Sequence, residues 1–302
     1  MRVGIEVGGT FTDLVAVDGE SVRTAKVPST PANPDQGAMH AIDAAGLDPA
    51  RIEELVHGST VATNAVLERK GAAVCLFVTK GTRDLLLLQR HDKEAIYDLR
   101  YRKPEPVVRR RDVVEIDERI AADGTPIRTP DRAAVAGLVR QVLADGSYEA
   151  AAVCFLHAYA NPDHERTVAE IVREQAPSLP VTCSSDVTRE FREYERASTT
   201  ALAAYVQPVM AGYVGRFSTA LAERGFAGRF SIMQSNGGRM PAEAMARNAI
   251  SALFSGPAAG VVGAVRSVAG AGYRNLITLD MGGTSTDVAL IAGGQPELAS
   301  TT

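Results

Sequence analysis

The chain opens with two short runs of alternating apolar and polar residues that predict a β-hairpin. Residues 2–7 (RVGIEV) and 14–17 (LVAV) are rich in β-branched side chains, and the segment GGTFTD lies between them. Apolar runs of this kind, bounded by glycine, are typical of strands joined by a turn. We therefore expect a hairpin whose turn is unusually polar.

The hydrophobic pattern of the following residues predicts helices that alternate with strands. Helical spacing is present in residues 35–45, 61–69, 82–90, 131–144 and 164–175, and short apolar runs occupy residues 55–57, 73–79, 150–157 and 181–184. Such alternation is typical of an α/β fold in which helices cover a sheet. We expect that architecture for most of the chain.

Other segments depart from this alternation. Residues 91–130, dense in Arg, Pro and Asp, predict loops and short extended pieces, which we interpret as an insertion that reaches across a cleft. Residues 187–224 predict one long helix, or two helices broken near Pro208. We expect a first domain over residues 1–186, and a helical bridge with the start of a second lobe over residues 187–302.

Composition narrows the function classes. The 302 residues carry a formal net charge of -4 and no long Lys/Arg run, which argues against a nucleic-acid or anionic-membrane partner and favours a small soluble substrate. Cys75, Cys154 and Cys183 are widely spaced, and we expect buried thiols in a reducing compartment. Glu6 interrupts the apolar stretch that an export signal needs, so we expect a cytoplasmic protein.

The most informative feature is a near-repeat. VGIEVGGTFTDLVAV at residues 3–17 is matched by LITLDMGGTSTDVALI at residues 276–291. Glycines let a backbone approach a polyphosphate and adopt positive φ, so that successive N–H groups converge on an anion. One such turn is as readily an ordinary hairpin turn, but two matched copies predict duplicated lobes that face one nucleotide. The candidates for binding phosphate are Gly8, Gly9, Thr10, Thr12, Gly282, Gly283, Thr284, Ser285 and Thr286.

Acidic residues stand at matched positions in both copies. Glu6 and Asp280 end the first strand of each copy, where a carboxylate is placed to hold Mg²⁺, through water because magnesium gives up its hydration shell reluctantly. Asp13 and Asp287 are catalytic candidates that orient the loops or position a nucleophile. Capping of the turn is the alternative for both.

Several motifs resemble one known family. GIEVGGTFTD and LDMGGTSTDV resemble the two phosphate motifs of the superfamily of actin, sugar-kinase and heat-shock-protein ATPases. HGSTVATNAVLERKGA, REFREYERASTTALAAYV and SGPAAGVVGA are similar to segments of the hydantoinase A/5-oxoprolinase/acetone carboxylase family. Similar motifs extend over nearly the whole chain. The resemblance implies an RNase H-like (actin-like ATPase) α/β lobe with inserted segments, followed by the first hairpin of a second, incomplete RNase H-like lobe.

The resemblance also suggests roles for residues outside the two loops. It implies ATP and Mg²⁺ as cofactors and a second subunit of the hydantoinase B type as partner. Glu6 stands where Asp is more usual in such families, which puts the strength of Mg²⁺ binding in question. The resemblance brings in Glu193 as a further catalytic candidate and His57, Thr60, Asn64, Arg196 and Asn236 as substrate-side candidates.

Each of these candidates has a structural alternative. Thr60 and its neighbours can cap a helix. The mixed charges around Glu193 and Arg196 are typical of a solvated helix face with salt bridges. Asn236 can form an ordinary turn.

The leading expectation is an ATP-dependent hydrolase subunit that opens a cyclic amide of the hydantoin or 5-oxoproline type through a phosphorylated carbonyl intermediate. The first alternative is the ATP-using subunit of an acetone-type ketone carboxylase. The second is a truncated, non-catalytic nucleotide-binding or scaffold protein. Because the chain stops shortly after the second copy of the motif, we expect this chain alone to bind ATP weakly and to turn over little.

Overall fold

The computed structural model describes residues 1–93, 95–281 and 286–296. The chain forms two compact units, one made of Met1–Leu67 with Val209–Thr302 and the other of Glu68–Pro208. This division differs from the boundary expected between residues 186 and 187. The first unit is discontinuous because the strand Arg229–Met233 returns to pair in parallel with Glu54–Ser59, a pairing that no local pattern reveals.

The secondary structure follows the predicted alternation of strands and helices. The strands are β1 (Arg2–Val7), β2 (Phe11–Asp18), β3 (Ser21–Pro28), β4 (Glu54–Ser59), β5 (Val74–Thr79), β6 (Val113–Ile116), β7 (Arg119–Ile120), β8 (Pro126–Arg128), β9 (Ala150–Cys154), β10 (Val181–Cys183), β11 (Arg229–Met233), β12 (Arg239–Pro241), β13 (Leu276–Met281), β14 (Thr286–Ala292) and β15 (Gln295–Pro296). The helices are α1 (Pro34–Ala44), α2 (Val61–Leu67), α3 (Leu85–Leu88), α4 (Arg132–Val142), α5 (Asp163–Gln175), α6 (Ser184–Val187), α7 (Glu193–Glu223), α8 (Ala242–Arg247) and α9 (Ser255–Ala269).

The first unit is built on a six-stranded sheet of order β12-β11-β4-β1-β2-β3. Strands β1, β4 and β11 run parallel, and β2 and β3 continue antiparallel from β1. One face of the β1–β2 hairpin is buried against α1 and the last turns of α7, in a core that includes Ile5, Leu14, Ile42 and Phe217. The predicted hairpin is confirmed, and β3 is a third strand that the pattern did not predict.

The second unit contains a four-stranded, all-parallel sheet of order β10-β9-β5-β6. Strands β5 and β9 are buried along their whole length, as their uninterrupted apolar sequences require in a sheet covered on both faces. The interpretation of residues 91–130 as an insertion needs correction, because β6 pairs with β5 and extends this sheet. Cys75, Cys154 and Cys183 are buried and free, as expected.

The predicted second hairpin is also present. Strands β13 and β14 pair antiparallel, and β15 pairs with β14. Pro208 lies inside the continuous helix α7, which settles the choice between one long helix and a broken pair. Within the described residues, no helix is long and apolar enough to cross a membrane.

Candidate functional site

The two hairpins present their acids in the same way. Glu6 lies directly opposite Asp13 in the β1–β2 ladder, and Asp280 lies opposite Asp287 in the β13–β14 ladder. Residues that face each other across an antiparallel pair project from the same face of the sheet, with Cβ atoms about 5 Å apart. Each copy of the motif therefore brings two carboxylates together on one face.

Glu6 lies in an environment that disfavours its charged form. Burial is the main cause, and the negative charges of Asp13 and Asp280 add to it, so that the pKa of Glu6 is raised to about 7. The contribution from Asp280 indicates that this acid of the second hairpin lies near Glu6 in the first unit. A nearby cation would reverse this effect, because it favours the ionised carboxylate.

The loop between β1 and β2 is held in place by backbone contacts. The N–H of Gly8 donates to the carbonyl of Phe11 at 3.0 Å, and the N–H of Ser29 donates to the carbonyl of Thr10 at 2.9 Å. Gly8 and Gly9 do not have the positive φ expected for them. At Gly8 the constraint is steric instead, since a Cβ there would make a tight contact of 3.1 Å with the Phe11 carbonyl oxygen.

The same loop carries two exposed backbone N–H groups. Within the described part of the chain, the N–H groups of Gly9 and Thr10 have no hydrogen-bond acceptor, and both residues are exposed. Backbone N–H groups in such a turn are suitable donors for phosphate oxygens. This part of the predicted site is therefore exposed, with two backbone N–H groups that could bind an anion.

Thr12 does not fit the predicted role of a phosphate donor. It is fully buried on the core face of the hairpin, opposite to the face that carries Glu6 and Asp13. Its hydroxyl lies 3.1 Å from the Ser29 hydroxyl, which in turn donates to the Gly8 carbonyl at 2.7 Å. Strand alternation directs the Thr12 side chain away from the acids. Thr12 thus supports the loop from the core side of the hairpin.

The equivalent loop of the second hairpin is less fully described. Gly282, Gly283, Thr284 and Ser285 lie outside the described residues, and Thr286 begins β14 with an exposed side chain. Asp287 is half-buried. In the first hairpin, Asp13 forms an exposed ion pair with Lys26 at 2.8 Å, a partner that the sequence motif does not include.

His57 is a structural residue and not an exposed substrate contact. Its side chain is fully buried, with Nδ1 3.1 Å from the Ile5 carbonyl and Nε2 2.5 Å from the Tyr213 hydroxyl. Since a carbonyl can only accept, Nδ1 carries the proton and Nε2 accepts from the tyrosine. Burial lowers the pKa of His57 to about 4. His57 is therefore a neutral core histidine with two hydrogen bonds, and the predicted substrate-side role is wrong.

The rest of the HGSTVATN segment combines capping with proximity to the site. Ser59 Oγ accepts from the Val61 N–H at 3.1 Å, so this serine caps the start of α2. Thr60 donates through its hydroxyl to the Val7 carbonyl at 3.2 Å, and the Asn64 amide donates to the Thr60 hydroxyl at 3.2 Å. Thr60 and Asn64 therefore lie beside the end of β1, where the loop of Gly8 and Gly9 begins.

Asn236 forms the turn after β11. Its Oδ1 accepts from the Gly238 N–H at 2.8 Å, and Gly237 has a φ of 78°. The side chain is exposed. The turn-forming alternative accounts for its contacts.

The two candidates within residues 192–196, Glu193 and Arg196, belong to the second unit. They differ in burial. Glu193 is exposed at the start of α7, so the predicted inward-facing role does not fit it. Arg196 is buried, donates to the Phe155 carbonyl and lies over the Tyr159 ring at 5.5 Å. Its neighbour Glu195 forms an ion pair with Arg90.

Two glycines that sequence reasoning missed lie against Glu6. Gly58 in β4 lies beside Glu6 in the parallel β1–β4 pair, and Gly256 lies in the first turn of α9. Both belong to motifs that carried the family resemblance, which was the available signal. Their contact with Glu6 was not predictable because it depends on strand pairing and on the placement of α9.

The donor chemistry of this cluster fits a magnesium–nucleotide complex. Within the described residues, no group of three or more His, Cys, Asp or Glu side chains could hold a metal ion by itself. Mg²⁺ is commonly held by one or two carboxylates together with water and substrate phosphates. Glu6 and Asp280 supply such carboxylates, and the Gly9 and Thr10 N–H groups supply donors for phosphate.

Comparison with known proteins gives the class to which this fold and site belong. The family described as hydantoinase/oxoprolinase N-terminal region matches residues 2–176, and the family described as hydantoinase/oxoprolinase matches residues 196–302. The chain therefore belongs to the hydantoinase/oxoprolinase family, as its motifs predicted.

Relatives within the family differ in activity. Caprolactamase subunit alpha of Pseudomonas jessenii is 35% identical over 97% of this chain and 44% of its own length, and 5-oxoprolinase of Saccharomyces cerevisiae is 30% identical over 98% and 26%. The structure of nucleotide-free acetone carboxylase, from work on ATP-dependent acetone carboxylation, superposes with a TM-score of 0.87 at 28% identity over 99% of this chain and 45% of that one. The ATP-dependent caprolactamase structure from Pseudomonas jessenii gives 0.84 at 34% identity over 96% and 43%.

These comparisons establish the α/β fold and the family, but they span both hydrolases and a carboxylase. The chain covers less than half the length of each of these relatives.

Proposed function

We propose that this chain provides the phosphate- and magnesium-binding part of an ATP-dependent enzyme that activates a carbonyl oxygen by phosphorylation. The observation that carries the proposal is the clustering of Glu6, Asp13 and Asp280 in one unit, next to the open loop at Gly9 and Thr10. The ATP dependence stated for the caprolactamase and acetone carboxylase structures supports it. In this proposal the two hairpins belong to RNase H-like lobes of the actin-like ATPase type.

The proposed chemistry follows from the poor reactivity of an amide. Transfer of the ATP γ-phosphoryl group to the amide oxygen releases ADP and makes the carbonyl carbon reactive toward water. Water adds to that carbon and gives a proton to the ring nitrogen, which leaves and opens the ring to an acyl phosphate. A second water then releases the carboxylate and phosphate. Bound Mg²⁺ would supply positive charge to the transferring phosphoryl group. Gly9 and Thr10 would donate N–H groups to phosphate oxygens, and Glu6 and Asp280 would hold the metal. Asp13 would orient the loop through its strand pairing with Glu6.

We propose a cyclic amide as the substrate, in a cytoplasmic enzyme with a second subunit of the hydantoinase B type. The caprolactamase and 5-oxoprolinase relatives support an amide substrate, and the subunit name of the caprolactamase relative supports a multi-subunit enzyme. A ketone carboxylase is the second candidate, favoured by the close superposition on acetone carboxylase. Both candidates use the same phosphate-binding part.

The phosphate and metal site is tested by calorimetric titration of Mg-ATP into the complete enzyme that contains this chain, because the chain alone is expected to bind ATP weakly. We expect Asp280→Asn to weaken binding by about tenfold or more, because a metal ligand loses its charge. Asp18→Asn is the matched control, since Asp18 lies at the opposite end of the β1–β2 hairpin and pairs with Ser21. Equal affinity of wild type and Asp280→Asn would contradict the proposed site.

The choice between hydrolase and carboxylase is tested with the complete enzyme and its second subunit. Phosphate release is measured with hydantoin, 5-oxoproline or caprolactam, and separately with acetone and bicarbonate. Stimulation by a cyclic amide supports the hydrolase. Stimulation by acetone and bicarbonate alone would replace it with the carboxylase.

A further inference from the structure

The carboxylate of Glu6 lies between two glycine backbones. Glu6 is next to Gly58 in the register of the parallel strands β1 and β4. A Cβ atom built on Gly58 would lie 1.8 Å from Glu6 Oε2, and a Cβ atom built on Gly256 would lie 2.8 Å from Glu6 Oε1. Both distances are far shorter than a van der Waals contact. Neither position can carry a side chain while Glu6 keeps this conformation.

The space at both glycines is taken up by Glu6 and not by the surrounding fold. At Gly58, the three atoms nearest to the added Cβ are the two carboxylate oxygens and Cδ of Glu6, and the same is true at Gly256. A steric requirement of the surrounding sheet or of neighbouring elements would bring their backbone atoms or core side chains into these positions. The glycines therefore make room for this particular acid.

Helix α9 also approaches the acid of the second hairpin. Gly260 follows Gly256 by four residues, so both lie on one face of the helix about 6 Å apart. A Cβ atom on Gly260 would lie 3.9 Å from Asp280 Oδ2, which is an ordinary contact. One glycine-bearing face of α9 thus passes both Glu6 and Asp280.

We propose that Gly58 and Gly256 are positioning residues that hold the long side chain of Glu6 in a fixed place beside Asp280. Glutamate at position 6 and the two glycines then form a matched set, in which a side chain at either glycine displaces the carboxylate. The proposal rests on the proposed function only in the role that Glu6 is given, which is to hold the cation of a bound nucleotide.

The contacts predict a graded series of alanine variants. In calorimetric titration with Mg-ATP, we expect Gly58→Ala to weaken binding by about tenfold or more, as displacement of a metal ligand does. Gly256→Ala has a smaller effect because its overlap with Glu6 is smaller. Gly263→Ala is the matched control, since a Cβ there meets nothing within 4 Å and the residue lies in the same helix. Each replacement of glycine inside α9 favours the helix, so weaker binding by Gly256→Ala alone does not come from loss of helical structure.

Rescue separates positioning from a merely structural role. Glu6→Asp shortens the side chain and vacates the space above Gly58. We expect Gly58→Ala in the Glu6→Asp background to bind Mg-ATP as Glu6→Asp alone does, within about threefold. Wild-type affinity in Gly58→Ala would overturn the proposal. So would a double variant that binds as weakly as Gly58→Ala when Glu6→Asp alone binds well.

A second measurement distinguishes failure of this proposal from failure of the proposed function. Urea unfolding of wild type, Gly58→Ala, Glu6→Asp and the double variant gives a double-mutant cycle for positions 6 and 58. This measurement needs no ligand. If the complete wild-type enzyme does not bind Mg-ATP, the proposed function fails, and the cycle still tests the contact. The proposal is supported if Gly58→Ala lowers the free energy of unfolding less in the Glu6→Asp background than in wild type. Additive losses of stability overturn it.

Discussion

The two hairpins have the same sequence pattern but differ in how their apolar faces are covered. In the first hairpin Ile5 is 2% exposed, whereas Leu279, at the same place in the second copy of the motif, is 67% exposed. The same contrast separates Leu14 from Val288. Helices α1 and α7 pack on the first face, and none of the described residues covers the second in this way. The motif therefore specifies a hairpin and the placement of its acids, and the surrounding elements decide its burial.

The largest expected difference concerns the apolar faces themselves. We expect Ile5→Ala to lower the free energy of unfolding by about 2–5 kcal/mol, because it leaves a cavity in a packed core. Leu279→Ala should change it by less than about 0.5 kcal/mol, since its side chain is exposed. Urea denaturation of both variants measures the two values. Equal losses would mean that the face of the second hairpin is covered in solution.

The second prediction concerns the histidine beneath the first hairpin. The pKa of His57 is about 4 in the folded chain, below the ordinary value of 6.5. Between these values the unfolded chain binds a proton that the folded chain does not, so stability falls as pH falls from 6.5 to 4. His57→Asn lacks this dependence. We expect the stability advantage of wild type over His57→Asn to shrink by about 3 kcal/mol over that range.

Urea denaturation of wild type and His57→Asn at several pH values tests the burial of this histidine. A stability difference that stays constant down to pH 4 would show that His57 titrates alike in the folded and unfolded chains. His91→Asn serves as a control, because His91 is exposed in the second unit.

The smallest expected effect concerns the threonines that precede the last acid of each motif. Thr12→Val removes a buried hydroxyl that contacts Ser29, and we expect it to cost about 1 kcal/mol of stability. Thr286→Val, at the exposed equivalent position, should change stability by less than about 0.5 kcal/mol. Unfolding experiments on both variants test this. A neutral Thr12→Val would show that the Ser29 contact does not stabilise the loop.

The candidate site shows where sequence reasoning succeeds. The positions of Glu6 and Asp280 on their strands followed from the hairpin pattern, because strand alternation is a local property. Asp13 was expected in the turn, but it lies in β2, which begins at Phe11. The orientation of Thr12 follows from the same alternation, yet the motif alone suggested a phosphate ligand. Its hydroxyl faces the core because it lies one residue from Asp13, on the other face of the strand.

The residues that sequence reasoning misassigned depend on contacts between distant segments. His57 became a core residue because Tyr213, 156 positions further along the chain, supplies its second hydrogen bond. Glu193 is exposed and Arg196 buried because the rotation of α7 about its axis is set by packing. Neither feature is visible in a run of mixed charges.

The sequence by itself determined the α/β class, the two hairpins, the matching acids of their two copies and the family. These depend on interactions between residues close along the chain, or on motifs long enough to be specific. Only the tertiary structure decided the discontinuous first unit, the addition of β6 to the second sheet and the contact of Gly58 and Gly256 with Glu6. Those features arise from strand pairing and helix placement between distant segments, where many arrangements share one local pattern and the packing of the whole chain selects among them.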